Sequence, residues 1–410
     1  MNMPLKLLLI AGNVDATDVG EARNAFELVH HLGKIAQVTL LTQQRVGRED
    51  TQRQLPHVEV ITFPEFTLPR KLERITAMLK PGYPLFAARV RAWVAQASKQ
   101  GRHFDIAHQL TPLALRYASP LKDCGIPYVL GPYAGSLDTP QGFESECGSA
   151  PWFTHLRRLD HWRFAHDPWL RESYAKAECV LGVAPYVGRI LQGIPLKAFD
   201  VMSEIGIETL APVHPARDPN APLRLLHVGR AVRTKGLRDC VRAMALLKDL
   251  PHVTLDQAGR GEELEICRRE AERLGVADRI RFHGQLTRTE IEKLYEKADI
   301  FLFPSFREPS GSVIFEALRH GLCVVTADRG GPGHVIDETC GKKADPVTPE
   351  IYAAELAAHV RALASDPDQL AALSKGARFK AESIGLWPGK LQRLMAIYEN
   401  ILTNDKRAAA

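Results

Sequence analysis

The stretch Ala298–Gly321, ADIFLFPSFREPSGSVIFEALRHG, reads as a buried strand, a polar loop and a helix in immediate succession. IFLF is too continuously apolar for a strand with one wet face, so it belongs inside a sheet covered on both sides. Pro309 drives Glu308 out of the α region and puts it on the loop, so the helix should begin after it, with Ser310 as N-cap and Gly321 as terminator. Glu316 then lies about one turn inside the helix, and the two carboxylates cannot form a side-by-side acid/base pair on one face. Between them the backbone N–H groups of Gly311, Ser312 and Val313 stand at a helix N-terminus, where free donors and the helix dipole suit a phosphate. Two glutamates can occur in any strand–loop–helix crossover. In this order they suit a ligand with a diphosphate in the middle and hydroxyl-rich groups at either end.

Working backwards, the run LRLLHVG is followed by RAVRTKG, so Arg230 and Lys235 leave the carboxyl end of another buried strand, the place where doubly wound sheets bind ligands. A guanidinium fork and an ammonium point charge are complementary phosphate partners. VTLDQAG, IRFHG and CVVTAD complete this second series of strands, while KLLLIAG, VTLLT, VEVITF, DIAH, IPYVLGP and CVLGVA form an earlier one. Amphipathic helical patterns separate the runs. Between the two series lies ETLAPVHPARDPNAPL, Glu208 to Leu223, with four prolines and no apolar period, which reads as a linker. The expected organisation is two doubly wound α/β domains, residues 1–207 and 208–385, with a final helix at 386–410 long enough to cross back to the first domain.

Composition narrows the classes. A chain of 410 residues, 45% hydrophobic and 25% charged, is an ordinary globular protein too long for one core. Its net charge of +5 suits anionic small molecules without indicating a nucleic-acid binder. Seven scattered cysteines without a CxxC pair fit a reducing compartment, and no apolar run reaches a membrane-spanning length, so a cytoplasmic location is expected. From Pro64 to Arg102 eight Lys or Arg stand against two Glu, interleaved with aromatic residues, and WFTHLRRLDHWRF repeats that mixture. This is either a solvated helix face or a surface for peripheral contact with the inner face of the plasma membrane. AGRGEEL begins like a dinucleotide fingerprint but has Leu264 in place of the third glycine. DPD at Asp366–Asp368 precedes a helix and reads as an N-cap instead of a metal motif, and the histidines show no ligand spacing. No metal and no cofactor is expected.

In order and spacing, HVGRAVRTKG, AGRGEELE, IRFHGQL and ADIFLFPSFREPSGSVIFEALRHGLCVVTADRGGPGHVI resemble the C-terminal half of retaining nucleotide-sugar glycosyltransferases of glycosyltransferase family 4, the glycosyl transferases group 1. The Glu308–Glu316 pair matches that family's E-x7-E signature. The resemblance implies a GT-B fold, two Rossmann-like domains facing across a cleft. It implies that Arg230 and Lys235 hold the donor diphosphate and, with Glu308, carry catalysis. Glu308 would contact the donor sugar, the amides of Gly311, Ser312 and Val313 the phosphates, Glu316 the ribose, and the backbone from His283 to Leu286 the base. The N-terminal half matches through LLIAGNVDATDVGEARNAFELVHHL, FDIAHQLTP and IPYVLGPYAGS, which puts Gly20, His108 and Tyr133 on the acceptor or cleft side. The chain departs from the pattern at Pro309, at His334 and at Pro132–Tyr133, where the family often has glycine, an acid and a histidine. The implied activity is transfer of a hexose-type sugar from a UDP- or GDP-sugar to a glycan, glycolipid or lipid-linked acceptor in cell-surface polysaccharide assembly. A nucleotide-sugar epimerase of the same fold and a non-catalytic sugar-nucleotide-binding subunit are the alternatives.

Overall fold

The computed structural model describes residues 4–66, 80–148, 158–213 and 221–409. Much of the linker, and parts of both basic aromatic stretches, lie outside the described residues. The chain forms two compact units: Met1–Ser136, Pro151–Gly206 and Lys390–Ala410 make the first, and Leu137–Ala150 with Ile207–Gly389 the second. The sequence division at 207/208 therefore misplaces one segment, because Leu137–Ala150 belongs to the second unit.

Unit 1 is a seven-stranded sheet of β1 (Lys6–Ile10), β2 (Gln37–Gln44), β3 (Glu59–Pro64), β4 (Ile106–Gln109), β5 (Tyr128–Tyr133), β6 (Cys179–Gly182) and β7 (Phe199–Val201). Its order is β3-β2-β1-β4-β5-β6-β7 and every pairing is parallel. Leu7 to Ile10 are fully buried, as strands covered by helices on both faces require. On β4, His108 is buried, donates from Nε2 to the Gly131 carbonyl at 2.8 Å and accepts at Nδ1 from the Tyr398 hydroxyl at 2.6 Å. Tyr398 lies on the helix Trp387–Ala409, so this pair fastens the last element of the chain to the core of unit 1. Burial pulls the His108 pKa down to about 4 and keeps the imidazole neutral.

Unit 2 is a six-stranded parallel sheet of β8 (Leu223–Val228), β9 (Val253–Ala258), β10 (Ile280–Gly284), β11 (Ile300–Phe303), β12 (Cys323–Ala327) and β13 (Gly341–Ala344), in the order β10-β9-β8-β11-β12-β13. In both units the strand order reverses beside the first strand, β1/β4 and β8/β11, the pattern of doubly wound sheets. The segment Leu137–Ala150 straps across unit 2 and puts Phe143, fully buried, into its apolar core. It lies so close that a Cβ on Gly142 would come within 2.1 Å of the Val347 carbonyl oxygen.

The strap is held by Arg233, whose side chain is 5% exposed. Its guanidinium grips Asp239 through two bonds of 2.6 and 2.9 Å and Glu146 of the strap through two of 2.8 and 2.6 Å. It also sits 5.1 and 5.2 Å from the ring centres of Phe143 and Phe306. Arg242 adds a bond of 2.7 Å to Glu146. Burial alone would raise the Glu146 pKa; the guanidinium groups of Arg242 and Arg233 outweigh it and hold the carboxyl near 2.

Two measurements test these assignments. Protonation of His108 occurs in the unfolded chain near pH 6.5 but in the folded protein only near 4, so stability falls as pH drops through that window, by up to about 3 kcal/mol from this residue. In urea titrations between pH 7 and 4, His108→Gln should flatten the decline in stability; an unchanged slope refutes the buried neutral histidine. Arg233→Met should cost about 3–5 kcal/mol by leaving the buried Asp239 with only the longer ion pair to Arg242, and adding Asp239→Leu should restore most of the loss. A double variant no more stable than the single would show that the pair does not act as a unit.

Candidate functional site

The loops that follow β8 and β11 meet at the reversal point of unit 2, and the charged residues expected from the sequence are on them. After β8 the chain runs through Arg230 into a single 3-10 turn, Arg233–Lys235, and leaves it at Gly236 in the left-handed region with φ 79°. A Cβ at Gly236 would stand 2.1 Å from the Pro304 carbonyl oxygen, so only glycine lets the loop after β8 press against the loop after β11. His227, buried at the end of β8, donates from Nε2 to the Lys235 carbonyl at 3.0 Å and fixes the turn from below. Burial takes its pKa down to about 4, so this donor is a neutral imidazole.

The Lys235 ammonium forms an ion pair with the Glu308 carboxylate, and both side chains are largely buried. It also lies 5.6 Å from the centre of the Phe303 ring. The Glu308 carbonyl accepts the Gly331 N–H at 3.1 Å, which anchors this loop to the segment after β12. Arg307, next to Glu308, donates to the Leu137 carbonyl of the strap at 3.0 Å. Arg230 is exposed, and its guanidinium makes no hydrogen bond or ion pair among the described residues.

The helix of the opening motif is Ser312–Arg319. Its N-cap is Gly311, left-handed at φ 87°, and not Ser310: the glycine takes the turn without a steric penalty and leaves the serine outside the helix. The C-cap is His320, followed by Gly321 at φ 71°. The amides of Ser312 and Val313 open the helix without an intrahelical acceptor, while the Ile314 N–H returns to the Gly311 carbonyl at 2.9 Å. One turn on, Glu316 is partly buried and accepts a hydrogen bond at Oε2 from the Tyr295 hydroxyl at 3.1 Å. Burial pushes its carboxyl pKa up, against the opposing pull of that bond. The two glutamates thus occupy distinct settings, one against an ammonium group and one against a phenol.

The remaining expected residues fall elsewhere. The His283 ring is taken up by Asp256 of β9, with 2.6 Å from Nε2 to Oδ1, so its side chain is committed across two neighbouring strands. Gly20, at φ 65°, is the N-cap of the helix Glu21–Leu32 in unit 1. His108 and Tyr133, placed by the sequence on the acceptor side, are corrected to core residues: each is at most 1% exposed, and the Tyr133 ring packs edge-on against Tyr174 at 5.6 Å. Neither presents a surface to an acceptor. The AGRGEEL turn is a packing element, joined to the loop after β8 by Ala231 N–H to the Arg260 carbonyl and Glu263 N–H to the Ala231 carbonyl, both 2.9 Å. Asp366 of DPD caps the helix Pro367–Lys380, accepting from the Gln369 N–H at 2.9 Å. Three residues of the site escaped the sequence reading. Arg233 is one more basic residue in a basic loop, His227 sits in an apolar strand and Tyr295 in a charged helix; only the partners that folding brings to them distinguish them.

With this geometry in place, residues 215–380 match the family model described as Glycosyl transferases group 1. Glycogen synthase of Mycobacterium tuberculosis is 34% identical over 227 residues, which are 54% of this chain and 53% of that protein. The chain thus spans about half the length of the curated relatives it matches. Sucrose-phosphate synthase from Thermosynechococcus elongatus superposes with a TM-score of 0.66 at 19% identity, over 98% of this chain and 100% of that one. Anabaena HepE, solved in complex with UDP and glucose, does so with a TM-score of 0.61 at 17% identity, over 96% and 98%. At these identities the superpositions establish the fold, which is GT-B. Residues 215–380 thus resemble the group 1 glycosyltransferases, on a chain whose fold is GT-B.

Proposed function

We propose that this protein is a retaining glycosyltransferase that moves a hexose-type sugar from a UDP- or GDP-sugar to a glycan, glycolipid or lipid-linked acceptor in cell-surface polysaccharide assembly. The observation that carries the reading is the meeting of Lys235 and Glu308, from the loops after β8 and β11, beside the helix N-terminus at Gly311. UDP is the first donor base to test, because HepE is solved with UDP and glucose.

In this reading Arg230, Lys235 and the Ser312 and Val313 amides receive the diphosphate, Glu308 a hydroxyl of the sugar, and Glu316 the ribose. As the bond from the anomeric carbon to the diphosphate oxygen breaks, its electron pair leaves with the diphosphate, and the two cations and the helix N-terminus offset the growing charge. The acceptor oxygen then bonds to that carbon from the same face, and its proton passes to the departing diphosphate oxygen. No protein nucleophile is needed. Positive charge supplied by side chains and amides takes the part that a divalent metal plays elsewhere, so the reaction is proposed to proceed without one.

The peripheral membrane contact belongs to the same proposal. Among the described residues of unit 1, Leu85, Trp162 and Trp169 are exposed, with Arg91 at 5.3 Å and Lys122 at 3.9 Å from the Trp169 ring centre. No described helix is long and apolar enough to cross a membrane.

Calorimetric titration with UDP and GDP in EDTA should show one of them binding. Lys235→Ala should weaken that binding about tenfold or more, in line with roughly 1.5–3 kcal/mol for a hydrogen bond to a charged group. Arg230→Ala should also weaken it. Unaltered affinity in both variants would remove the diphosphate assignment, and a product of inverted anomeric configuration by NMR would remove retention. Vesicles containing anionic lipid should sediment the protein at low salt and release it at high salt; failure to cosediment at low salt rules out the membrane contact.

A further inference from the structure

We propose that Tyr295 is a positioning residue for nucleotide recognition, its hydroxyl holding the Glu316 carboxylate in the orientation that receives the ribose hydroxyls. The inference rests on the assignment of Glu316 to the ribose. Tyr295 ends the helix Arg288–Tyr295, whose start is fixed by a reciprocal cap in which the Thr287 side chain accepts from the Glu290 N–H and the Glu290 carboxylate from the Thr287 N–H. Its ring is buried and clamped, stacked on His320 at 5.3 Å and against Phe301 at 5.6 Å. His320 is held in turn through Nε2, 2.8 Å from Glu292 Oε2, and Glu292 also takes Arg319 at 3.2 Å.

A ring so confined can direct its hydroxyl to few places. Two acceptors stand near it, Glu316 Oε2 at 3.1 Å and the Val313 carbonyl at 3.5 Å, and the single proton goes to the nearer and charged one. Phenylalanine would fill the same apolar space, so packing alone does not account for the hydroxyl. One oxygen of the carboxylate is thereby fixed, and the other, Oε1, makes no hydrogen bond among the described residues. A carboxylate tethered at one oxygen by a rigid donor loses little freedom when two vicinal hydroxyls dock on it, which is how preorganisation raises affinity.

The test is ribose discrimination. Dissociation constants are measured by calorimetry for UDP and GDP and for their 2′,3′-dideoxy counterparts, with wild type, Tyr295→Phe, Glu316→Gln and the double variant. Wild type should prefer the ribose form of the nucleotide it binds by about tenfold or more, since a site built around hydroxyls penalises their loss. Tyr295→Phe should reduce that preference about fivefold, the worth of one buried hydrogen bond, while leaving affinity for the dideoxy form unchanged. In the Glu316→Gln background the same substitution should have a smaller effect, because the amide oxygen is only a neutral acceptor for the phenol. Equal weakening of both forms by Tyr295→Phe, or an unchanged preference, would overturn the proposal and assign the tyrosine to the core. Binding of neither nucleotide to wild type would bring down the ribose assignment itself, a result separable from binding with an unaltered ratio.

Discussion

A guanidinium group sealed inside unit 2 is the constraint on which its organisation rests. Arg233 makes two hydrogen bonds each to Asp239 and Glu146 and lies against the touching rings of Phe143 and Phe306. Those four partners come from the helix Leu237–Ala245, from the strap, and from the loop that carries Glu308. A buried cation is tolerable only when every donor is met, so the position of each partner is dictated by the others. Arg233 also stands two residues before Lys235, which means the turn presenting that ammonium is anchored from beneath by a group that never reaches the surface.

Above this anchor the chemistry follows from topology. Parallel strands deliver their carboxyl ends to one edge of the sheet, and at the β8/β11 reversal the loops diverge to opposite faces, leaving a gap at which side chains from both can converge. Lys235 and Glu308 use it. The short helix Ser312–Arg319 adds unpaired amides beside them, and its first turn carries Glu316 round to the Tyr295 phenol. Three kinds of donor, namely ammonium, amide and phenol, are therefore arrayed along one loop–helix junction. The order of the residues in the motif is the order of these groups along the junction.

Much of this was legible in the sequence, for a physical reason. Strands buried on both faces must be continuously apolar, and eleven of the thirteen strands correspond to such runs. The two without a signal are edge strands, one from each sheet: β7 has only three residues, none fully buried, and β13 reads GKKA with both lysines partly exposed. The donor-side charges were readable because loops at strand ends have little else to do with an arginine, a lysine and a glutamate. What sequence could not give was partnership. His108 looks like a candidate polar residue until Tyr398, 290 positions later, closes on it. Leu137–Ala150 looks like part of the first domain because it follows β5 directly; its allegiance is set by Phe143 in the core of unit 2 and by the Glu146 carboxylate on Arg233. Ser310 is a better N-cap than Gly311 by propensity, and loses because the backbone there is left-handed.

The interleaving of the two units has a consequence for the order in which the protein is synthesised. The strap that unit 2 needs is made before its sheet, so that unit can assemble as soon as β13 and the helices after it have emerged. Unit 1 cannot do the same. Its sheet is complete by β7, yet Tyr398, the donor to His108 Nδ1, lies on Lys390–Ala410, which is made after all of unit 2. The usual N-terminal-first order of domain completion does not apply here, because chain order makes every segment of unit 2 available before Lys390–Ala410 completes unit 1.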